Sequence, residues 1–267
     1  MSSAISIQNL CFGYDSREIL HNIDLEIEEG RFCVMVGPNG GGKSTLLKLV
    51  LGLLEPVYGS VRVFGKTPVE ARRDVGYVPQ SMEVDGQFPV TVEDVVLMGR
   101  VERHLFGGYD RHDREVAEQS LADVNLVGFE RRPFRALSGG ERQRVIVAQA
   151  LASEPRILLL DEPGANLDPE NRQMLYELLG RLNKRLTILL VSHNLNVVAS
   201  VATDVICVNR TADMHPMEMV RTEGETHGIW AHLHHSGCPV SDPEMENEHT
   251  PHRACLHCEK CARKEKK

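Results

Sequence analysis

Hydrophobic and polar positions alternate along the first part of the chain. Ala4 to Leu10 does so with one wet face, and Ile23-Asp24-Leu25-Glu26-Ile27-Glu28 does so more cleanly. A period of two predicts strands covered on one side, and the two segments read as parts of an antiparallel layer. Arg31 to Val36 breaks the pattern. It is almost wholly apolar, as a strand buried on both faces requires. A glycine-rich turn follows, and then Ser44 to Leu54 carries apolar residues at helical spacing. Val61 to Phe64 and Val75 to Val78 read as further short strands.

After Pro79 the texture changes. Thr91-Val92-Glu93-Asp94 is a capping-box-like start leading into Val95-Val96-Leu97-Met98. Gly107-Gly108 interrupts the chain, and a charged amphipathic helix is predicted from about Asp110 to Val124. Residues of about 82–134 therefore read as a helical insert. Alternation of strand and helix then resumes. A helix from Ser138 comes first, followed by a strand at Arg156 to Leu160, a helix near Pro169 to Leu182 and a strand at Leu186 to Val191. A helix from Asn194 and a strand at Val205 to Val208 complete the series. The order predicts an α/β fold: a mainly parallel sheet core with helices on both faces, an N-terminal antiparallel β layer and a helical subdomain. From about Arg221 the periodicity fades into acidic, His and Cys residues. The expected division is a body over 1–221 and a Cys/His-rich tail over 222–267, metal-binding or disordered.

Charge and length narrow the function classes. The formal charge of -8 over 267 residues argues against a general nucleic-acid binder. The longest apolar runs, Ile157 to Leu160 and Leu186 to Val191, fall well short of the roughly 20 residues of a membrane span. Met1-Ser2-Ser3-Ala4 has no basic residue followed by an apolar stretch, so a cytoplasmic protein is expected. Thiols stay reduced there, and clustered cysteines then suggest metal before disulfides. Cys11, Cys33 and Cys207 stand singly among apolar neighbours and read as small buried hydrophobes.

Three motifs carry chemistry. Gly37-Pro38-Asn39-Gly40-Gly41-Gly42-Lys43-Ser44 fits a phosphate loop and sits where one must, between a buried strand and a helix. Its glycines let backbone N–H groups converge on phosphate oxygens, and the helix points its positive end at the same anion. Lys43 supplies charge to the β- and γ-phosphates of ATP, and Ser44 an oxygen to Mg²⁺. The strand ending in Asp161-Glu162 delivers two acids to the sheet edge where ligands of open α/β sheets bind. Asp161 would hold Mg²⁺, and Glu162 would position or deprotonate an attacking water. In Leu137-Ser138-Gly139-Gly140-Glu141-Arg142-Gln143-Arg144, Ser138 and Glu141 form a capping box. The two glycines expose N–H groups beyond what a cap needs.

That last segment resembles the signature of ABC ATPases. The order of phosphate loop, helical insert, signature, Asp-Glu strand and histidine matches that family over roughly residues 4 to 210. The resemblance implies ATP and Mg²⁺ as cofactors and assigns further residues. Tyr14 resembles the aromatic that stacks on adenine, and Gln80 the glutamine that senses Mg²⁺ and water. Thr45 joins Gly37 to Ser44 around the phosphates. Asp168 closes the loop Gly164-Ala165-Asn166-Leu167-Asp168 that crosses to a partner subunit, and His193 resembles the switch histidine on the γ-phosphate. Many relatives carry threonine or serine where this chain has Gly164. The family's arrangement implies a head-to-tail homodimer, each ATP held between Lys43 of one subunit and Ser138, Gly139 and Gly140 of the other. A soluble ABC protein of translation or repair would usually carry two such cassettes or a long coiled coil, and a P-loop kinase would lack the signature.

The stretch Phe88 to Arg100 resembles the insert of ATPases from zinc- and manganese-type importers, and less closely that of siderophore or cobalamin importers. The resemblance implies a polytopic membrane permease, an extracytoplasmic substrate-binding protein and a peripheral location on the cytoplasmic face of the membrane. In the tail, Cys255, Cys258 and Cys261 follow a Cys-x-x-Cys-x-x-Cys spacing, with His252 and His257 beside them. Three thiolates and one imidazole would suit tetrahedral Zn²⁺. An iron–sulfur cluster with Cys238 as a remote ligand and a solvated tail with no ligand are the alternatives.

Overall fold

The alternation of Ile23 to Glu28 belongs to a longer strand than its pattern announces. The computed structural model describes residues 2–15, 17–80, 89–103, 108–192, 198 and 200–217. In it β1 (Ser3–Tyr14) and β2 (Arg17–Glu28) form an antiparallel hairpin, and β4 (Tyr58–Val63) pairs with the other edge of β1. Ile5 faces Ile27, Ile7 faces Leu25, Leu10 faces Ile23 and Phe12 faces Leu20. The register slips between Ile7 and Leu10 and again between Leu10 and Phe12. Asn9 and Asn22 take left-handed backbone nearby, at φ 48° and 45°. Such bulges break the period of two, which is why only parts of each strand were legible.

The second sheet runs β5-β6-β7-β3-β8-β9, with β3 (Phe32–Val36), β5 (Val75–Val78), β6 (Ile157–Asp161), β7 (Thr187–Val191) and β8 (Asp204–Asn209) parallel. β9 (Thr211–Pro216) adds an antiparallel edge that the sequence pattern had not predicted. Every residue of β3, β6 and β7 is buried, as their apolar runs required, and the polar Asp161 and Thr187 at strand ends are buried with them. Successive residues of β3 feed two different cores. Phe32, Val34 and Val36 pack toward α4 (Gly139–Ala152) and α5 (Pro169–Leu182). Cys33 and Met35 pack toward α1 (Lys43–Val50) and the antiparallel layer. Helix α1 stops at Val50 rather than Leu54, because Leu51 opens a turn in which Gly52 adopts φ 67°.

Of the predicted insert, 82–88 and 104–107 lie outside the described residues. The rest holds α2 (Val92–Leu97), which starts on the Thr91–Asp94 capping box, and α3 (Arg111–Asp123), which starts on Asp110. Both pack on α4. One charged node ties them together. Arg100, 1% exposed, pairs with Asp113 of α3 at 2.9 Å and with Glu154 at 2.6 Å, and donates to the carbonyl of Ala152 at the end of α4. Among the described residues no helix is long and apolar enough to cross a membrane.

Candidate functional site

The phosphate loop is built from backbone that only glycine accepts. Gly37 leaves β3 at φ 149°, and a Cβ there would lie 1.9 Å from the carbonyl oxygen of Val208 on β8. Gly42 sits at the N-cap of α1 at φ 103° and offers no side chain to the first turn. The N–H groups of that turn therefore have no side-chain cap and suit an anion. Lys43 is buried and folds back onto the loop, its Nζ donating to the carbonyls of Gly37 and Pro38 at 2.9 Å each. Burial lowers its pKa, while Glu162 and Asp161 act in the opposite sense.

Asp161, the last residue of β6, is also buried. Loss of solvent pushes its carboxyl up, against a hydrogen bond from Ser44 and the charges of Lys48 and Lys43. Ser44 Oγ and Asp161 Oδ1 stand 3.5 Å apart. This pair of hard oxygens beside a lysine fits Mg²⁺, which takes few protein ligands and keeps its waters. Glu162 follows at φ 46°, a left-handed conformation that a non-glycine residue adopts at a cost and that clusters at working sites. Its N–H bonds the carbonyl of Val191.

Because Asp161 ionises against its burial, the nucleotide-free fold loses stability as pH rises from the ordinary carboxylate pKa through the raised one. Asp161→Asn removes that cost. At pH 7 the nucleotide-free variant should melt higher than the native chain, while Mg²⁺-dependent ATP hydrolysis is lost. A lower melting temperature by calorimetry would contradict this account of Asp161.

Asn39, Gly40, Gly42, Lys43, Ser44, Thr45 and Glu162 line one cleft of about 330 Å³, together with Arg17 and Ile19 of β2. Sequence reasoning missed those last two. Nothing in a strand's pattern reports that its tip will meet a phosphate loop. Tyr14, at the hairpin tip opposite Arg17, is 46% exposed and rests edge-on against Phe12 with ring centroids 5.0 Å apart. An exposed aromatic held rigid by a second ring is free to stack on a base. Gln80 lies exposed two residues beyond β5. Near it, burial and the Asp161 charge raise the pKa of Tyr77.

Gly37, Pro38, Gly41 and Asp161 adjoin this cleft through the loop and Ser44 without lining it, and Tyr14, Gln80, Asp168, Ser138, Gly139 and Gly140 are not among its lining residues either. Ser138 and Gly139 are exposed at the start of α4, where Ser138 N–H donates to Glu141 at 2.7 Å and Glu141 N–H donates to Ser138 Oγ at 3.3 Å. The Ser138 backbone N–H, and then its side chain, hold the Glu141 carboxyl below its usual range. Asp168 caps α5, accepting from Asn171. A Cβ on Gly140 would come 2.2 Å from Asn171 Oδ1, so the second glycine lets the starts of α4 and α5 meet. Gly164 has a local cause as well. Tyr176 Oη and Arg172 Cγ would lie 3.0 and 3.1 Å from a Cβ there, and Arg172 braces the loop by donating to the carbonyls of Gly164 and Leu167. His193 lies outside the described residues, as do Cys238, His252, Cys255, His257, Cys258 and Cys261.

Comparison with known proteins places this geometry in a setting. A family model described as ABC transporter matches residues 20–165. The zinc uptake system ATP-binding protein ZurA of Listeria innocua is 35% identical over 268 residues, covering 97% of this chain and 98% of that one. The manganese transport system ATP-binding protein MntB of Halalkalibacterium halodurans is 36% identical over 230 residues, covering 82% and 91%. Among solved structures, cbiO1 from Clostridium perfringens, part of the ABC transporter complex cbiONQ, superposes with a TM-score of 0.75. It is 25% identical, with 92% of this chain and 100% of that one covered.

Proposed function

This chain belongs to the ABC transporter family, and from that membership we propose that it is the ATP-hydrolysing subunit of a metal-ion importer of the zinc or manganese type. The observation that carries the ATPase reading is the meeting of Lys43, Ser44 and Glu162 at one cleft, with Asp161 3.5 Å from Ser44. The cargo rests on the near full-length likeness to a zinc uptake ATP-binding protein and on the likeness to a manganese one.

Each residue has a task that its position allows. Lys43 exchanges the carbonyls of Gly37 and Pro38 for phosphate oxygens, so the loop keeps its shape as ATP arrives. Gly40, Gly41, Gly42 and Thr45 surround the phosphates, with Pro38 and Asn39 fixing the loop's outer turn. Ser44, Asp161 and Gln80 would hold Mg²⁺, which supplies charge neutralisation between the β- and γ-phosphates. Glu162 orients water and accepts its proton, His193 contacts the γ-phosphate, and Tyr14 stacks on adenine.

Ser138, Gly139 and Gly140 do not line their own subunit's cleft, and Ser138 and Gly139 are exposed. They serve a second copy's ATP, so the working unit is a head-to-tail homodimer with Asp168 crossing between subunits. The protein works peripherally, on the cytoplasmic face of the membrane, with a polytopic permease and an extracytoplasmic binding protein as partners. The tail's Cys255, Cys258, Cys261 and His252 or His257 bind Zn²⁺ and are not needed for hydrolysis. Zinc content of the full chain against C255S/C258S/C261S tests that part.

The transport reading is tested in proteoliposomes holding the subunit with its permease. ATP hydrolysis should rise severalfold when Zn²⁺- or Mn²⁺-loaded binding protein is added. Stimulation by a ferric siderophore or cobalamin, and by neither metal ion, would overturn the cargo assignment while leaving the ATPase intact.

A further inference from the structure

The outer face of the β1–β2 hairpin carries three potential metal ligands that the ATPase reading does not use. Cys11 Sγ, a carboxylate oxygen of Glu18 and a ring nitrogen of His21 all lie within 4.8 Å of one another. The register slip brings them together, because β1 steps from Leu10 to Phe12 while β2 steps from Ile23 to Leu20. Cys11 thereby faces His21 and Asn22, and Glu18 reaches in from the position opposite Gly13. Cys11 is buried and forms the floor, whereas Glu18 and His21 are 43% and 41% exposed at the rim. His21 Nδ1 lies 3.0 Å from Glu18 Oε1, and Asn22 N–H donates to Cys11 Sγ at 3.3 Å. A backbone N–H bond to sulfur is of the kind that supports a metal-bound thiolate, and the His21–Glu18 contact would give way to coordination of both side chains.

We propose that Cys11, Glu18 and His21 form a Zn²⁺ site that adjusts the nucleotide cleft from behind. One thiolate, one imidazole and one carboxylate favour zinc over manganese or magnesium, which prefer oxygen. In tetrahedral zinc the ligand atoms stand roughly 3.5 Å apart, so closing this triangle takes movements of about 1 Å. The exposed side chains of Glu18 and His21 can make them. Three protein ligands leave the fourth position to water, which suits an exchangeable ion rather than a structural one.

Two routes lead from this site to the phosphates. Glu18 lies between Arg17 and Ile19, and both of these line the cleft. His21 N–H donates to the carbonyl of Arg210 at 2.7 Å, and Arg210 N–H donates to the carbonyl of Gly41 in the phosphate loop at 3.0 Å. Drawing Glu18 and His21 onto an ion on one side of β2 therefore shifts groups that touch nucleotide on the other. The zinc site stands without the transport reading, whereas its coupling rests on the cleft being the ATP site.

The test uses full-length protein with Cys238, Cys255, Cys258 and Cys261 replaced by serine, so that tail thiols do not contribute. Equilibrium dialysis against buffered Zn²⁺ in excess Mg²⁺ should give one tightly bound ion per chain, not displaced by Mn²⁺. Cys11→Ser and, separately, the surface change His21→Gln should each remove it. Affinity for a non-hydrolysable ATP analogue should shift about fivefold or more between zinc-free and zinc-loaded protein, and the analogue should shift zinc affinity by the same factor. Equal zinc uptake by the parent and both variants would overturn the site. Zinc bound without any change in nucleotide affinity would overturn the coupling. Failure to bind the analogue with or without zinc would instead count against the ATPase reading itself.

Discussion

Glu162→Gln should bind ATP as tightly as the native chain and hydrolyse it about a thousandfold more slowly. The change keeps shape and volume and removes only the capacity to accept a proton, and general-base catalysis contributes on the order of 10²–10⁴. Binding should survive because the phosphates are met by Lys43 and by the loop's N–H groups, which the substitution leaves in place. The left-handed backbone of Glu162, φ 46°, aims its side chain at the same cleft as Lys43 and Ser44. Glutamine takes that backbone at about the same cost as glutamate, so the fold should be unaffected. An ATP-bound dimer should then accumulate and elute early in size-exclusion chromatography. Single-turnover hydrolysis at the native rate would remove Glu162 from the role given to it.

Ser138→Arg should lose at least a hundredfold in ATP hydrolysis while each monomer still binds nucleotide, an order-of-magnitude expectation for removing preorganised donors at developing charge. Ser138 is exposed and does not line its own cleft, so added bulk cannot obstruct the subunit that carries it. It obstructs the approach of a second copy's phosphates to the N–H groups of Gly139 and Gly140. The substitution also removes the capping box with Glu141, which costs about 1 kcal/mol of stability. Ser138→Ala separates the two effects, because it loses the cap without adding bulk. Melting temperatures of the two variants should therefore agree within a few degrees, while ATP-dependent dimerisation should fail only in the arginine variant. Equal loss of dimerisation in both would mean that the cap alone, rather than access, decides closure.

The pieces of this site that were legible in the sequence are those dictated by local chemistry. β3, β6 and β7 are apolar but for Asp161 and Thr187 at strand ends, because both faces are covered. The phosphate loop declares itself because Gly37 and Gly42 need backbone that other residues avoid. The caps at Thr91 and Ser138 were readable for the same local reason, whereas the cap at Asp168 was not read. What escaped depends on distant neighbours. β9 is a half-exposed edge strand ending in Pro216, and its weak alternation could as well have been a loop. Arg17 and Ile19 reach the cleft only because the hairpin folds over α1. The strained backbone of Glu162 has no sequence sign, since glutamate usually avoids that region. Gly164 could be noticed as a departure, but the space taken by Tyr176 and Arg172 had to be seen.

The buried node at Arg100 has a mechanical consequence. Its guanidinium follows α2, grips the first turn of α3 through Asp113 and holds the end of α4 through Ala152 and Glu154. Cross-bracing of this kind stiffens the cluster against internal shear, because separating any two helices would strand a charge out of water. The three helices then turn as one lever rather than bending as three. The start of α4, which carries Ser138, lies at the far end of that helix from the brace, about 20 Å away at 1.5 Å per residue. A rotation of roughly 10° about the braced end would sweep those N–H groups through some 3–4 Å, the difference between contact with a phosphate and a gap filled by water.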